Sequence, residues 1–500
     1  MVSVRFARSV GLSLDSASSH PPLLAVLPLL PAAAGLLAAL LASLLTALTA
    51  AATLRPAALA KLGRIVWRQK PGLLVLGLAV AGLVEARAWL HVPGTPPAVQ
   101  ADLRSAHWPT FRGDLTRRGH GDGRPGPVRG GVTFSGGRDF QFYSSAAVAD
   151  DALIAIGVRG DSSRFFSWQA ESGRLLWTLA PDAYRATFSS PVLANGYLVA
   201  GEGLHNTSGA RLVAFRTGDD GVLRPAFEFA TRSHIECTPT IEGDRVYFAA
   251  GDDGVYCLSL TADDAHRVVW HAPGERYRDA ETGLAVCDEC VYVGLGRGGE
   301  ALAVLDATSG AELARLPMPL PVFSPPAISG GRIYLGMGDA DYVNPAEHSP
   351  GELRCLDLAT WETVWTLATP SPLLGAVVAD DSGIVFATTA GQLYVVDHGG
   401  QVLHRWQADS GVLAAPAVTP RTIYCVSCDG LLTALDRRLE PIFSTRLGAA
   451  GAYFSSPVVF GGQVFVGTPH DGFVCVGVPA AERHAGAPPQ SRTAGDEPDE

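Results

Sequence analysis

Beyond residue 144 the apolar positions fall into short β-branched or aromatic runs bounded by Gly or Asp. Runs of that kind predict strands separated by tight turns. One segment shows the plan: Thr238-Pro-Thr-Ile241, Arg245 to Ala250, Gly251-Asp-Asp-Gly254, Val255 to Leu258, then Arg267 to Trp270. Gly251-Asp-Asp-Gly254 has the composition of a hairpin loop. The same phrase recurs along the chain. It opens on two small residues and a Pro or Ala, passes a Gly-bearing turn into an aromatic strand, and closes on an apolar strand often ending in Asp. Copies open at Ser144, Ser189, Cys237, Thr282, Ser324, Leu374, Ala414 and Ser455, so the period is 40–50 residues. A repeat of that length with three or four short strands predicts propeller blades. Outer strands carry Trp177, Phe227, Trp270, Trp365, Trp406 and Phe443. The eighth copy ends at Val474-Cys-Val-Gly-Val478 without an outer strand, whereas Val128-Arg-Gly-Gly-Val-Thr-Phe134 precedes the first copy. That N-terminal strand is expected to complete blade eight and hide its sheet edge.

The N-terminal pattern is different. No charged side chain occurs from Pro21 to Leu54. After Pro31, residues 32–54 are long enough to cross a hydrocarbon core of about 30 Å. A second apolar stretch, 71–90, admits Glu85 and Arg87 near one end and is flanked by Trp67 and Trp89. Arg55, Lys61, Arg64, Arg68 and Lys70 lie between the two without an acid. Short basic loops stay in the cytoplasm, so two spans would leave the remainder extracytoplasmic. The rival is a cleaved signal peptide ending near residues 50–52, for which the leading segment and the span are both long. The expected organisation is a polar segment 1–20, an anchor 21–92 with spans at about 32–54 and 71–90, and a linker 93–126. An eight-bladed propeller at 127–478 and a disordered tail 479–500 follow. The fold class is therefore all-β, with an α-helical membrane anchor, and the expected location is a bacterial inner membrane with the propeller outside.

Composition sharpens this picture. Charged residues make up 17% of the 500, against about 25% in an average soluble domain, which favours membrane contact. Gly 56 and Pro 35 favour turns over long helices. A net charge of −11 argues against a nucleic-acid partner. All eight cysteines lie beyond residue 236, so no lipid-attachment cysteine is expected ahead of the propeller. Cys287 and Cys290 flank a turn and are candidates for a local disulfide in an oxidising compartment. Cys425 and Cys428 form the other C-x-x-C pair, in a blade that is not a neighbour, so a shared zinc site is disfavoured. Cys257, Cys355 and Cys475 share one strand slot and suit a small buried position.

Phrases such as Leu305-Asp-Ala-Thr-Ser-Gly310, and Leu356-Asp-Leu-Ala-Thr-Trp361 with Trp365, resemble the repeat of pyrroloquinoline-quinone-type eight-bladed propellers. Trp108-Pro-Thr-Phe-Arg-Gly113 resembles the phrase ahead of the propeller in membrane-anchored bacterial members. The resemblance covers about residues 108–478. It implies either a quinoprotein dehydrogenase or a non-enzymatic scaffold such as the propeller lipoprotein of outer-membrane assembly. The dehydrogenases hold calcium and quinone near the axis, with adjacent cysteines and a tryptophan floor. No Cys-Cys pair exists here, and no Ser/His/Asp triad or phosphate loop is evident. The expected function is thus a protein- or peptide-binding scaffold or receptor with no catalytic residues and no cofactor. A reduced quinoprotein oxidoreductase with quinone and Ca²⁺ at the ring axis is the alternative.

Two sets of residues are candidate sites. The residues just before the eight openings are Tyr143, Phe188, Glu236, Glu281, Phe323, Leu373, Leu413 and Phe454. Two neighbouring blades thus place carboxylates on an otherwise apolar rim, and His234 and Asp279 stand two positions earlier. His234, Glu236, Asp279 and Glu281 form a patch suited to a cation or a basic peptide. Solvated loop residues, or pairing with Arg232, Arg276 and Arg278, is the other reading. The second set is an insertion in repeat five, where Asp339, Asp341, Asn344 and Glu347 have oxygen ligands for Ca²⁺ but lack the usual loop glycine. An acidic solvated turn is the alternative there.

Overall fold

The computed structural model describes residues 99–478 apart from 102, 104, 105, 109, 112, 115–124, 206 and 340–348. The expected membrane spans, the tail 479–500, and Asp341, Asn344 and Glu347 lie outside the described residues. Among the described residues there is no α-helix, and none long and apolar enough to cross a membrane.

Eight antiparallel sheets follow one another along the chain. Blade three is typical, with Thr240–Glu242 innermost, then Arg245–Ala249, Gly254–Ser259 and Val268–Pro273. Its strands fall within three residues of the expected runs, because alternating apolar runs and Gly-Asp turns act locally. Cys257, Cys355 and Cys475 are fully buried, and each faces an aromatic residue across the ladder: Tyr247, Tyr334 and Phe465.

Neighbouring blades are joined in two ways. Near the axis, hydroxyl groups of the opening phrases lace five blades together. The amide of Ala415 donates to Ser456 Oγ (3.1 Å), that of Ser456 to Ser145 Oγ (2.9 Å), that of Ser145 to Ser190 Oγ (3.0 Å), and that of Ser190 to Thr238 Oγ1 (3.2 Å). Farther out, an aromatic ring on one outer strand docks against a glycine in the next blade's turn. Trp270 covers Gly310 and donates its indole N–H to the Ala307 carbonyl (3.0 Å). Trp365 covers Gly400 and donates to the His398 carbonyl (3.0 Å). These glycines adopt φ of 72° and 88°, and a Cβ on either would collide with the indole, so the Gly of the repeat phrase serves both backbone and packing.

The ring closes as expected. Gly131–Gly136 pairs antiparallel with Phe473–Gly477 and forms the outer strand of blade eight. Its Phe134 docks on Gly173 of blade one, repeating the aromatic-on-glycine joint across the closure. Beside it, Trp168 stacks between Phe166 and Phe473 with centroids 5.3 and 5.1 Å away.

The stretch expected as a linker contributes two further strands. Val99–Gln100 pairs with Val222–Ser233 at the outer edge of blade two. Ala106–Trp108 pairs with Ala147–Ala149, the innermost strand of blade one, on the edge that faces the ring axis. A turn follows, in which the Gly113 amide donates to the Thr110 carbonyl (2.9 Å) with Gly113 at φ 85°.

Candidate functional site

The innermost strands start around one end of the central channel, and there the residues preceding each opening phrase converge. Seven of the eight surround a cavity of about 550 Å³, and in blade six Leu374 lines it while Leu373 is buried in the core. One sector is aromatic: Tyr143, Phe188 and Phe454 form a mutual cluster with centroids 4.9–6.1 Å apart. Phe323 and Leu413 continue this apolar lining. Phe111, from the Thr110–Gly113 turn, also lines the cavity. The chain's own N-terminal segment therefore supplies part of the wall, which repeat analysis of the blades alone does not reveal.

The adjoining sector is polar and comes from blades two to four. Glu236, Asp279 and Glu281 line the cavity, and His234 hydrogen-bonds to Glu281 through Nε2 and Oε1 at 2.9 Å. All four patch residues are thus brought together. His205, which the sequence analysis missed, joins them, with Nδ1 2.6 Å from the same Glu281 Oε1. It sits between the strands Tyr197–Gly201 and Ser208–Thr217, where blade three has only the tight Gly251–Gly254 loop. That longer loop is the signal that points to it. The two imidazole centroids are 5.4 Å apart.

The arginine pairing weighed above is not what Arg232 and Arg276 do. Arg232 binds Asp253 (2.7 Å), and Arg276 binds Glu312. Arg297 holds Asp279 through its backbone amide (2.5 Å) and turns its guanidinium to Asp339. Asp339 is therefore an ion-pair partner in the described structure. Asp279 itself adopts φ 53°, a left-handed conformation that Asp tolerates better than most residues.

Crowded carboxylates perturb one another. Burial first, and the Glu281 charge second, push Glu236 up to about 7. The same two causes push Asp279 up to about 6. Burial opposes ionisation of Glu281, but the His234 hydrogen bond and the nearby imidazoles hold its carboxyl below the ordinary value. Burial likewise opposes protonation of His234, yet the Glu281 hydrogen bond and surrounding carboxylates raise it. Glu236 Oε1 is buried without a hydrogen-bond partner. The sector thus concentrates negative charge and two imidazoles on one side of an apolar cup.

Cys287 and Cys290 pair across a two-residue turn as free thiols, and Cys425 and Cys428 are also free. Burial raises the thiol pKa of Cys287 to about 11, so it is not an activated nucleophile.

Residues 349–472 match the family model described as "Outer membrane protein assembly factor BamB". No curated protein sequence matches the chain. Among solved structures, BamB from Moraxella catarrhalis is similar with a TM-score of 0.53 and 15% identity, over 70% of this chain and 98% of that one. The quinohemoprotein alcohol dehydrogenase from Comamonas testosteroni gives a TM-score of 0.58 at 11% identity, over 74% of this chain and 79% of that one. The computationally designed Ika8 protein gives 0.54 at 14% identity, over 70% and 99% respectively. At these identities the likeness concerns fold alone.

Without a bridging cation the acidic side of the cup opposes pyrroloquinoline quinone. That cofactor is a tricarboxylate, and Glu236, Asp279 and Glu281 would confront it with like charge. Arg278 and Arg297 also line the cavity, but the Arg297 guanidinium is already engaged by Asp339. No tryptophan is among the described lining residues. By its blade count and ring closure the chain is an eight-bladed β-propeller, and its residues 349–472 match the BamB family model.

Proposed function

We propose that the protein is a membrane-anchored, extracytoplasmic scaffold whose axial cup receives a protruding segment of a partner protein. The observation that carries this reading is the two-sided lining of the cup. An apolar or aromatic side chain would lie against Tyr143, Phe188 and Phe454, and a basic group would face Glu236, Asp279 and Glu281. Aromatic surfaces give large contact area at low entropic cost, and acidic walls give polarity of choice. The match to a family named for outer-membrane protein assembly supports a non-enzymatic role. A photo-crosslinking residue at Phe454 in native membranes is expected to capture a discrete partner protein, whereas one at Leu313 on an outer strand is not. Capture only from Leu313 would move the interface to the blade edges and overturn the reading.

The anchor rests on the basic segment between the apolar stretches. Reporter fusions at residue 62 and after residue 478 are expected to report opposite sides of the membrane, because five positive charges hold the intervening loop inside. The same side for both would overturn the two-span topology and the extracytoplasmic placement with it.

A further inference from the structure

We propose that the cup binds one divalent transition-metal ion of the zinc class through His205, His234 and Glu281, with Glu236 as fourth ligand. The reading does not depend on the partner segment, because three of the four donor atoms are already gathered in the free protein. His205 Nδ1, His234 Nε2 and a Glu281 carboxylate oxygen all lie within 4.8 Å of one another. The imidazoles approach the same Glu281 Oε1 to 2.6 and 2.9 Å. Around tetrahedral zinc, with bonds of about 2.0–2.1 Å, neighbouring ligand atoms stand roughly 3.3 Å apart. Small side-chain rotations therefore open the cluster to coordination distances without moving the blades.

Two details favour a metal over a self-contained hydrogen-bond cluster. Glu236 Oε1 is buried in this wall with no hydrogen-bond partner, an expensive condition for a carboxylate oxygen unless a ligand meets it. The other ring nitrogen of His234, Nδ1, lies 3.2 Å from Ser233 Oγ. Once a metal takes the place of the Nε2 proton, Nδ1–H would donate to that hydroxyl, the usual support for a metal-bound histidine.

The donor set decides the class of metal. Two imidazole nitrogens with carboxylates suit zinc and its neighbours, whereas calcium and magnesium prefer all-oxygen shells. The ligands come from three consecutive blades: His205 from two, His234 and Glu236 from the start of three, and Glu281 from the start of four. A bound ion would thus join three blades beside the aromatic cluster. The Thr240 hydroxyl already donates to the Leu284 carbonyl of blade four (2.9 Å), and the ion would add a second link between these blades at the rim.

The test uses the full chain in detergent, stripped with EDTA and desalted. Titration with Zn²⁺ is expected to load one ion per chain by elemental analysis and to raise the melting temperature. Ca²⁺ at equal concentration is expected to do neither. Co²⁺ loading is expected to give the visible absorption of a four-coordinate nitrogen and oxygen site. His205→Gln, on an exposed loop, is expected to retain the fold and lose roughly 100-fold in Zn²⁺ affinity. Glu281→Gln is expected to lose as much. The double variant Cys287→Ser/Cys290→Ser and the surface variant His266→Gln are expected to bind as the parent does. Zinc binding unaffected by His205→Gln and Glu281→Gln would overturn the site, as would loss of binding only in the cysteine variant. Stoichiometry below about 0.1 per chain, or Ca²⁺ binding as tight as Zn²⁺, would overturn it equally.

Discussion

Replacing Gly131–Gly136 by a Gly-Ser segment of the same length is expected to lower the melting temperature by roughly 10 °C or more and to promote aggregation. The strand carries ladder pairs from Gly131↔Gly477 to Gly136↔Phe473. Ser135 adds a hydrogen bond from Oγ to the Asp471 carbonyl (2.6 Å). At about 1 kcal/mol net per hydrogen bond, four or five of these contribute on the order of 4 kcal/mol. Loss of Phe134, which packs 6.4 Å from Phe465 and covers Gly173, removes about 2 kcal/mol more. The larger consequence is topological, because an unpaired strand Phe473–Gly477 would become a sheet edge open to other chains. Differential scanning calorimetry with light scattering checks this. An unchanged melting temperature and no scattering would mean that the ring is held shut without the N-terminal strand.

Glu236→Gln is expected to stabilise the metal-free protein at pH 8 and to leave it nearly unchanged at pH 5. The folded-state carboxyl, pushed up to about 7 by burial and by Glu281, stays protonated at the lower pH. A raised carboxyl pKa means that the folded state binds the proton more tightly than the unfolded chain. Its stabilising contribution is complete below the unfolded value and is lost as pH rises through about 7. Gln has no such proton to lose. The expected difference at pH 8 is on the order of 1–3 kcal/mol. Asp279, pushed up to about 6, loses stability in the same direction at somewhat lower pH. Urea unfolding in EDTA at the two pH values checks the sign. Equal effects at both would mean that Glu236 is ionised throughout and solvated.

Much of the ring was legible in the sequence because blades are local objects. Each is a run of neighbouring hairpins whose alternation and Gly-Asp turns act over a few residues, and contacts reach only the adjacent repeat. The eight openings, the closing strand at Val128–Phe134 and the slot of Cys257, Cys355 and Cys475 follow from that periodicity. The rim positions were legible for the same reason. Once the inner strands are aligned, Glu236 and Glu281 stand out as carboxylates where other blades place Tyr143, Phe188, Phe323 and Phe454.

Other features depend on pairs of residues with no common local pattern. His205 reaches Glu281 across 76 positions, because a longer loop in blade two leans over the start of blade four. Arg232 binds Asp253 rather than the rim acids, since side-chain direction, not sequence distance, selects its partner. Phe111 enters the cup because Ala106–Trp108 pairs at the inner edge of blade one. The sequence by itself thus determined the number of blades, the means of closure and the sign of the charge at the rim. Which imidazoles meet which carboxylates was decided only by the closed ring, where curvature brings loops from different blades within a hydrogen bond of one another.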